Sequence, residues 1–217
     1  MCNLYRPPNA DAVARHFQLQ SRGLHWPDAM HPRSPGPFIR RAVHDPGYSR
    51  ELAVGQWALI PPWAKAARLK YSTNNARSEE VAEKASYRDA WARGQRCIIP
   101  AADFDEPNWE SGSNVWWRFR RADGQPWALA GLWNTWVDRA TGEVHESYTM
   151  LTINADAHPL MQRMHKPDPK LPADQRDKRS VIPIEMHDID WWLAGTVKEA
   201  SALLQLAPAA RFDAGPV

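Results

Sequence analysis

Proline sets the limit on what this chain can build. Nineteen prolines are spread over 217 residues, and a ring that fixes φ and removes an N–H ends helices and keeps out of central strands. The elements between them must be short, and they alternate between strands and loops with few helices. Phe38 to Val43 and Glu51 to Leu59 read as strands, the second stopped at Ile60-Pro61-Pro62. Cys97-Ile98-Ile99-Pro100 reads as a short buried strand, followed by strands over Asn114 to Arg120, Trp127 to Trp136 and Glu143 to Thr152. Ala122-Asp123-Gly124-Gln125 and Arg139-Ala140-Thr141-Gly142 supply turns between them. A short apolar run, Val181-Ile182-Pro183-Ile184, comes later.

Helices are predicted at three places. Asn9 caps one over Asp11 to Leu19, Ser78 caps a second over Ser78 to Arg93 with Val81, Ala85 and Ala92 on one face, and Ile189 to Ala194 forms a third. Gly23 to Pro37 and Asp168 to Arg179 read as loops, and the last Gly and Pro mark a frayed tail after about residue 207. The expected fold is α+β. It is a single domain over residues 1–217, built on a curved, largely antiparallel β-sheet or pseudo-barrel with flanking short helices.

Hydrophobic residues at 43% and charged residues at 24% exclude a disordered chain. A net charge of only +2 means that any nucleic acid must be met by a local basic groove and not by a uniformly cationic surface. Cys2 and Cys97 make no disulfide framework, and no zinc-ligand spacing is present; the covalent chemistry considered below implies no metal or organic cofactor. With no apolar run of membrane-span length and no signal-peptide pattern, the expectation is a cytoplasmic monomer that does not engage a membrane. Most of the twelve tryptophans must fill the core, and Trp57, Trp116 and Trp133 read as core.

Cys2 carries the chemistry. Removal of Met1 leaves a cysteine with both a free α-amine and a thiol. With an ordinary pKa of about 7.7–8.0, a useful fraction of that amine is neutral near physiological pH and condenses with an aldehyde. The thiol then closes on the imine carbon to give a five-membered thiazolidine. Position alone does not distinguish this from a small buried hydrophobe at the second codon, so other motifs must support it.

They occur in order along the chain: Met1-Cys2-Asn3-Leu4-Tyr5, Trp57-Ala58-Leu59-Ile60-Pro61-Pro62-Trp63-Ala64, Asn75-Ala76-Arg77-Ser78-Glu79, Arg96-Cys97-Ile98-Ile99-Pro100-Ala101 with Glu106 downstream, and His158-Pro159-Leu160-Met161-Gln162-Arg163-Met164-His165. Together they resemble the SRAP (SOS response-associated peptidase) family, whose members act on abasic sites in single-stranded DNA. The resemblance implies a DNA damage response protein that crosslinks to the lesion through Cys2, with Asn75, Glu106 and His165 beside it. It further implies nucleoid association while bound to DNA. An amide at Asn75 suits holding the terminus in register; Glu106 suits proton shuttling provided that partial burial raises its pKa toward neutrality, and His165, which titrates near physiological pH, suits opening the sugar hemiacetal or protonating a leaving phosphate oxygen. Arg77 resembles the family's phosphate-contacting arginine, Trp63 sits in its tryptophan-containing loop as a base contact, and Arg163 and Arg179 are further cations for phosphate.

Three departures mark the chain. Asn3-Leu4 stands where the family commonly has Gly-Arg; Asp105 and Pro107 flank Glu106 in place of an aromatic residue and Trp; and Lys166 to Asp177 intervenes between His165 and Lys178-Arg179. Asp105 and Glu106 point to opposite faces of any strand, so which of them enters the site depends on register. Two other functions stay open: a cysteine peptidase in which Cys2 attacks an amide with His165 as base, including autoproteolysis at Met1-Cys2, and a non-covalent module for single-stranded or modified DNA.

Overall fold

The computed structural model describes residues 2–20, 23–172 and 175–217. Its elements are β1 (Tyr5–Arg6), α1 (Ala10–Phe17), β2 (Pro35–Arg41), β3 (Arg50–Trp57), β4 (Asn75–Arg77), α2 (Arg88–Ala92), β5 (Arg96–Ala101), β6 (Asp103–Asn108), β7 (Val115–Arg121), β8 (Trp127–Val137), β9 (Val144–Asn154), β10 (Arg179–Val181), α3 (Ile189–Ala194), α4 (Val197–Ala202) and β11 (Phe212–Pro216).

Strand β9 organises the molecule. One of its edges pairs with β8 from Val144 to Met150 and then with β10 from Thr152 to Asn154. The other pairs in parallel with β3 at Ser147 and Tyr148 and then with β4 from Met150 to Thr152. Because β3 continues through β2 and β5 back to β8, the five strands β9, β3, β2, β5 and β8 close into a barrel. All its pairings are antiparallel except β3 with β9.

Side chains alternate across the barrel wall, as strand geometry requires. Phe38, Cys97, Ile99, Leu129 and Met150 point into one core cluster, while their neighbours Ile39, Ile98, Ala130 and Leu151 join a second beneath α1, α2 and α3. Both faces of the wall are buried, which explains the continuous apolar run Cys97-Ile98-Ile99.

At Ala102 the chain leaves the barrel for a four-stranded antiparallel sheet in the order β1, β6, β7, β11. Aromatic rings lock the two sheets together. Phe104 stacks on Phe119 at 5.1 Å between centroids, and Trp127 of the barrel lies 5.1 Å from Phe212.

The sequence reading differs from this architecture at several points, four of which bear on the site and the core. Between Ser78 and Arg93 there is one 3-10 turn, Ser78–Glu80, without a side-chain cap, and then the five-residue α2. Val81 is buried but Ala85 and Ala92 face solvent, so no apolar stripe sustains a longer helix. Strand β6 was not expected from a segment containing Asp103, Asp105, Glu106 and Pro107. It forms because ion pairs neutralise its carboxylates: Arg6 reaches Asp103 at 2.7 Å and Asp105 at 2.9 Å, and Arg118 reaches Asp105 at 2.9 Å. The tail is not frayed, since β11 pairs with β7 from Phe212 to Pro216, and an edge strand tolerates its proline. Trp57 and Trp127 are fully buried, but Trp116 is 48% exposed and Trp133 only partly covered.

Burial pushes the Asp105 carboxyl up, but its hydrogen bonds and charge attraction to Arg6 and Arg118 outweigh this and hold it below the usual carboxylate range. A carboxylate with a lowered folded-state pKa contributes stability that is full above its unfolded value of about 3.9 and vanishes as pH falls through the folded one. Asp105→Asn is therefore expected to cost roughly 2 kcal/mol at pH 7. Thermal melts at pH 7 would show a Tm lower by about 4–8 °C, with a gap to wild type that narrows as the pH drops below 4.

Candidate active site

The N-terminal segment reaches the second sheet through β1. Leu4 O accepts from Asp105 N at 3.0 Å, which lays residues 2–4 along β6. Cys2 follows into the core with none of its surface exposed, and its thiol hydrogen-bonds Leu4 O at 3.5 Å. Asn75, on β4, donates from Nδ2 to Cys2 O at 2.6 Å. Parallel pairing of β4 with β9 sets this amide in place, because Asn75 lies opposite Met150. Asn75 Oδ1 is buried with no hydrogen-bond partner among the described residues, so the amide retains an acceptor beside the chain terminus.

Register settles the choice between the adjacent carboxylates. Asp105 turns to Arg6 and Arg118 on one face of β6, and Glu106 turns to the other, where it is 4% exposed. There Glu106 Oε2 lies 2.8 Å from His165 Nε2. Backbone pairing brings them together: Met164 bridges Asn108, and His165 N donates to Pro107 O at 2.7 Å. His165 adopts φ of 62°, a left-handed conformation costly for a residue with a side chain. Lys178, itself buried, secures that conformation by donating its ammonium to Met164 O and, at 2.6 Å, to His165 O.

The charges are coupled. Burial drives the Cys2 thiol well above its ordinary pKa, and the negative Glu106 adds to the rise. Burial pushes Glu106 up, as expected, but the N-terminal ammonium and His165 pull harder, so its carboxyl sits below the usual range and not near neutrality as the sequence reading expected. The result is a buried carboxylate held ionised beside a protonated thiol. Such a carboxylate can take a proton from an ammonium group. His158, the other histidine of the same motif, has a structural role. Its Nδ1 accepts from Leu160 N and Met161 N, and its Nε2 meets Ala207 O at 2.9 Å, so it caps a turn.

Two hollows flank this cluster. One, of about 430 Å³, is lined by Trp63, Tyr71, Asn75, Arg77, Lys84 and Tyr87. Trp63 is 49% exposed there and is steadied by its indole N–H to Ala85 O at 2.9 Å. The other, of about 470 Å³, includes Trp109, Arg163, Arg176 and Lys178. Arg163 pairs with Glu110 at 2.7 Å and lies over the Trp117 ring at 4.7 Å.

Arg179 does not reach either surface. It is 4% exposed and donates to Glu79 and to Thr152 O, because its position on β10 beside β9 aims it across the sheet. Sequence reasoning also missed Asn74, whose Nδ2 donates to Asn3 Oδ1 at 3.1 Å. Its adjacency to Asn75 was the available signal. Lys178 had none, since its partners are set by tertiary packing. Among the described residues no group of three or more His, Cys, Asp or Glu is arranged to hold a metal ion, and no helix is long and apolar enough to cross a membrane.

A family model described as "SOS response associated peptidase (SRAP)" matches residues 1–217. The chain belongs to the SRAP family. It is 32% identical over 151 residues to the abasic site processing protein YoqW of Bacillus subtilis, covering 69% of this chain and 65% of that protein, or just under two thirds of the relative's length. It is 30% identical over 128 residues to abasic site processing protein HMCES of Xenopus tropicalis, covering 49% of this chain and 38% of the relative. A crystal structure of a Bordetella bronchiseptica protein superposes with a TM-score of 0.86 at 37% identity, covering 100% of this chain and 99% of that one. A Bacteroides thetaiotaomicron protein shares the fold, with a TM-score of 0.81 at 21% identity.

Burial and a raised thiol pKa make a testable statement about Cys2 in this SRAP chain. Alkylation by iodoacetamide at pH 8, followed by peptide mass analysis, should modify Cys2 at least about tenfold more slowly in the folded protein than in the urea-unfolded chain. Glu106→Gln should speed the folded-state reaction by removing the charge that opposes the thiolate.

Proposed function

We propose that this SRAP protein captures abasic sites in single-stranded DNA as a covalent thiazolidine through Cys2, once Met1 has been removed. The observation that carries the reading is the convergence of Asn75, Glu106 and His165, from three distant segments, on the second residue of the chain. The ring-opened deoxyribose of an abasic site presents an aldehyde at C1′. Glu106 accepts a proton from the Cys2 ammonium; the neutral amine adds to C1′; water leaves, and an imine remains. The thiol then adds to the imine carbon, and its proton passes to the nitrogen, closing the ring. Asn75 holds the Cys2 carbonyl while this occurs, and His165 relays protons through Glu106.

Strand binding follows the same geometry. Trp63 offers an exposed ring on which a base can stack, and Arg77 offers a cation for the backbone, both in the hollow that reaches Asn75. Arg163 serves the second hollow, and Arg179, being buried, acts by anchoring Glu79 and β10. A peptidase mechanism has less support. It needs a thiolate nucleophile, whereas the Cys2 thiol is buried and shifted toward its protonated form.

The test is incubation of Met1-processed protein with a single-stranded oligonucleotide carrying one abasic site, read by denaturing gel and intact mass. Wild type should give a heat-stable adduct mapping to Cys2. Cys2→Ala should give none, and Cys2→Ser at most a labile imine. Glu106→Gln and His165→Ala should each slow adduct formation by about 10²-fold or more. In filter binding to undamaged single strands, Arg77→Ala should weaken affinity for every sequence and reduce the slope of log K against log salt by about 0.7. A heat-stable adduct from the Cys2→Ala protein would refute the reading.

A further inference from the structure

The cation best placed to hold the strand is already occupied. Arg77 Nη2 donates to Asp177 Oδ2 in a close ion pair, and Glu80 Oε1 lies 3.8 Å from Arg77 Nη1. Glu80 has a second partner in Lys84 at 3.3 Å. Asp177 belongs to the segment 166–178 that separates His165 from Arg179 in the sequence.

Asp177 is fixed by its backbone. Its φ is 51°, its N–H donates to Asp156 Oδ2 at 3.3 Å, and the next N–H, that of Lys178, donates to Asp156 Oδ1 at 2.6 Å. Lys178 is anchored in turn on Met164 O and His165 O. The end of the segment is therefore tied down on both sides. The Asp177 carboxylate projects from it to the Arg77 guanidinium at the edge of the hollow that holds Trp63 and Asn75.

We infer that Asp177 is a built-in phosphate mimic that competes with the DNA backbone for Arg77 and so sets the affinity of strand binding. The inference rests on the strand-binding role proposed above for Arg77. A carboxylate and a phosphate oxygen use the same guanidinium N–H groups, so a strand engages Arg77 only by displacing Asp177. The displaced carboxylate has a second cation within reach, since its Oδ1 is already 3.5 Å from Arg179 Nη1. Rotation of one side chain moves it from a position shared between Arg77 and Arg179 to one on Arg179 alone. Arg179 keeps Glu79 at 2.7 Å in both states. The exchange lowers the net gain from each phosphate contact, which disfavours strands held by few phosphates.

The experiment is fluorescence anisotropy with an undamaged single-stranded oligonucleotide over a salt series, using the full chain. Asp177→Asn should bind about two- to fivefold tighter at low salt, and the slope of log K against log salt should steepen by up to about 0.7. In the Arg77→Ala background the same substitution should give no gain. Asp168→Asn, which changes net charge equally within the same segment but does not touch Arg77, separates local competition from overall charge. The inference is overturned if Asp177→Asn binds no tighter than wild type, if its gain survives in Arg77→Ala, or if Asp168→Asn gives an equal gain. Adduct formation by wild type with abasic DNA is read separately. Its absence would remove the covalent function without touching the Arg77 competition, and lack of coupling between Arg77 and Asp177 would do the reverse.

Discussion

The structure depends on strand β9 using both of its edges twice. By holding β8 and β10 along one side and β3 and β4 along the other, it closes the barrel and also positions β4, which carries Asn75. Close backbone approach makes this possible. A Cβ at Gly55 would stand 2.7 Å from Glu146 O, and one at Gly131 would stand 2.7 Å from Thr149 O. Those glycines let β3 and β8 approach β9, and any larger residue would have to push the backbone away. Each strand pair contributes through burial of the side chains on both faces of the wall, and so the barrel interior and the helix-covered exterior form together.

That scaffold brings four chemistry-bearing residues from positions 2, 75, 106 and 165 to one place. Burying an ionised Glu106 is expensive unless its charge is compensated, and compensation comes from His165 and the N-terminal ammonium. The charge balance ties the catalytic proposal to the fold. Under the proposed function, the ionised Glu106 accepts the proton that the Cys2 amine must lose before it can attack an aldehyde. The same negative charge and the apolar surroundings keep the Cys2 thiol protonated, which suits a reaction in which the amine attacks first and the thiol second.

The segment after His165 organises the neighbouring charges. In three consecutive residues Asp177 holds Arg77, Lys178 holds the backbone of His165, and Arg179 holds Glu79. The Arg77 guanidinium at the Trp63 hollow and the backbone of His165 thus lean on adjacent residues of one tethered turn.

Much of this was legible in the amino-acid sequence. Apolar runs and proline breaks located β2, β3, β5, β7, β8 and β9 to within a few residues, and Ile189–Ala194 matched a helix end to end. The order of the motifs identified the family and named the four residues of the cluster. These features are local, set by backbone preference and by chemistry carried in adjacent side chains. Tertiary structure alone decided that Glu106 and not Asp105 faces His165, that Arg179 is buried, that residues 78–93 break into a turn and a short helix, and that β6 and β11 are strands. The physical reason is common to all of them. A strand residue's facing depends on the register of its partner, and a charged residue's place depends on where its counter-charge lies. Both partners are supplied by segments up to a hundred residues away, such as Arg6 for Asp105 and Glu79 for Arg179.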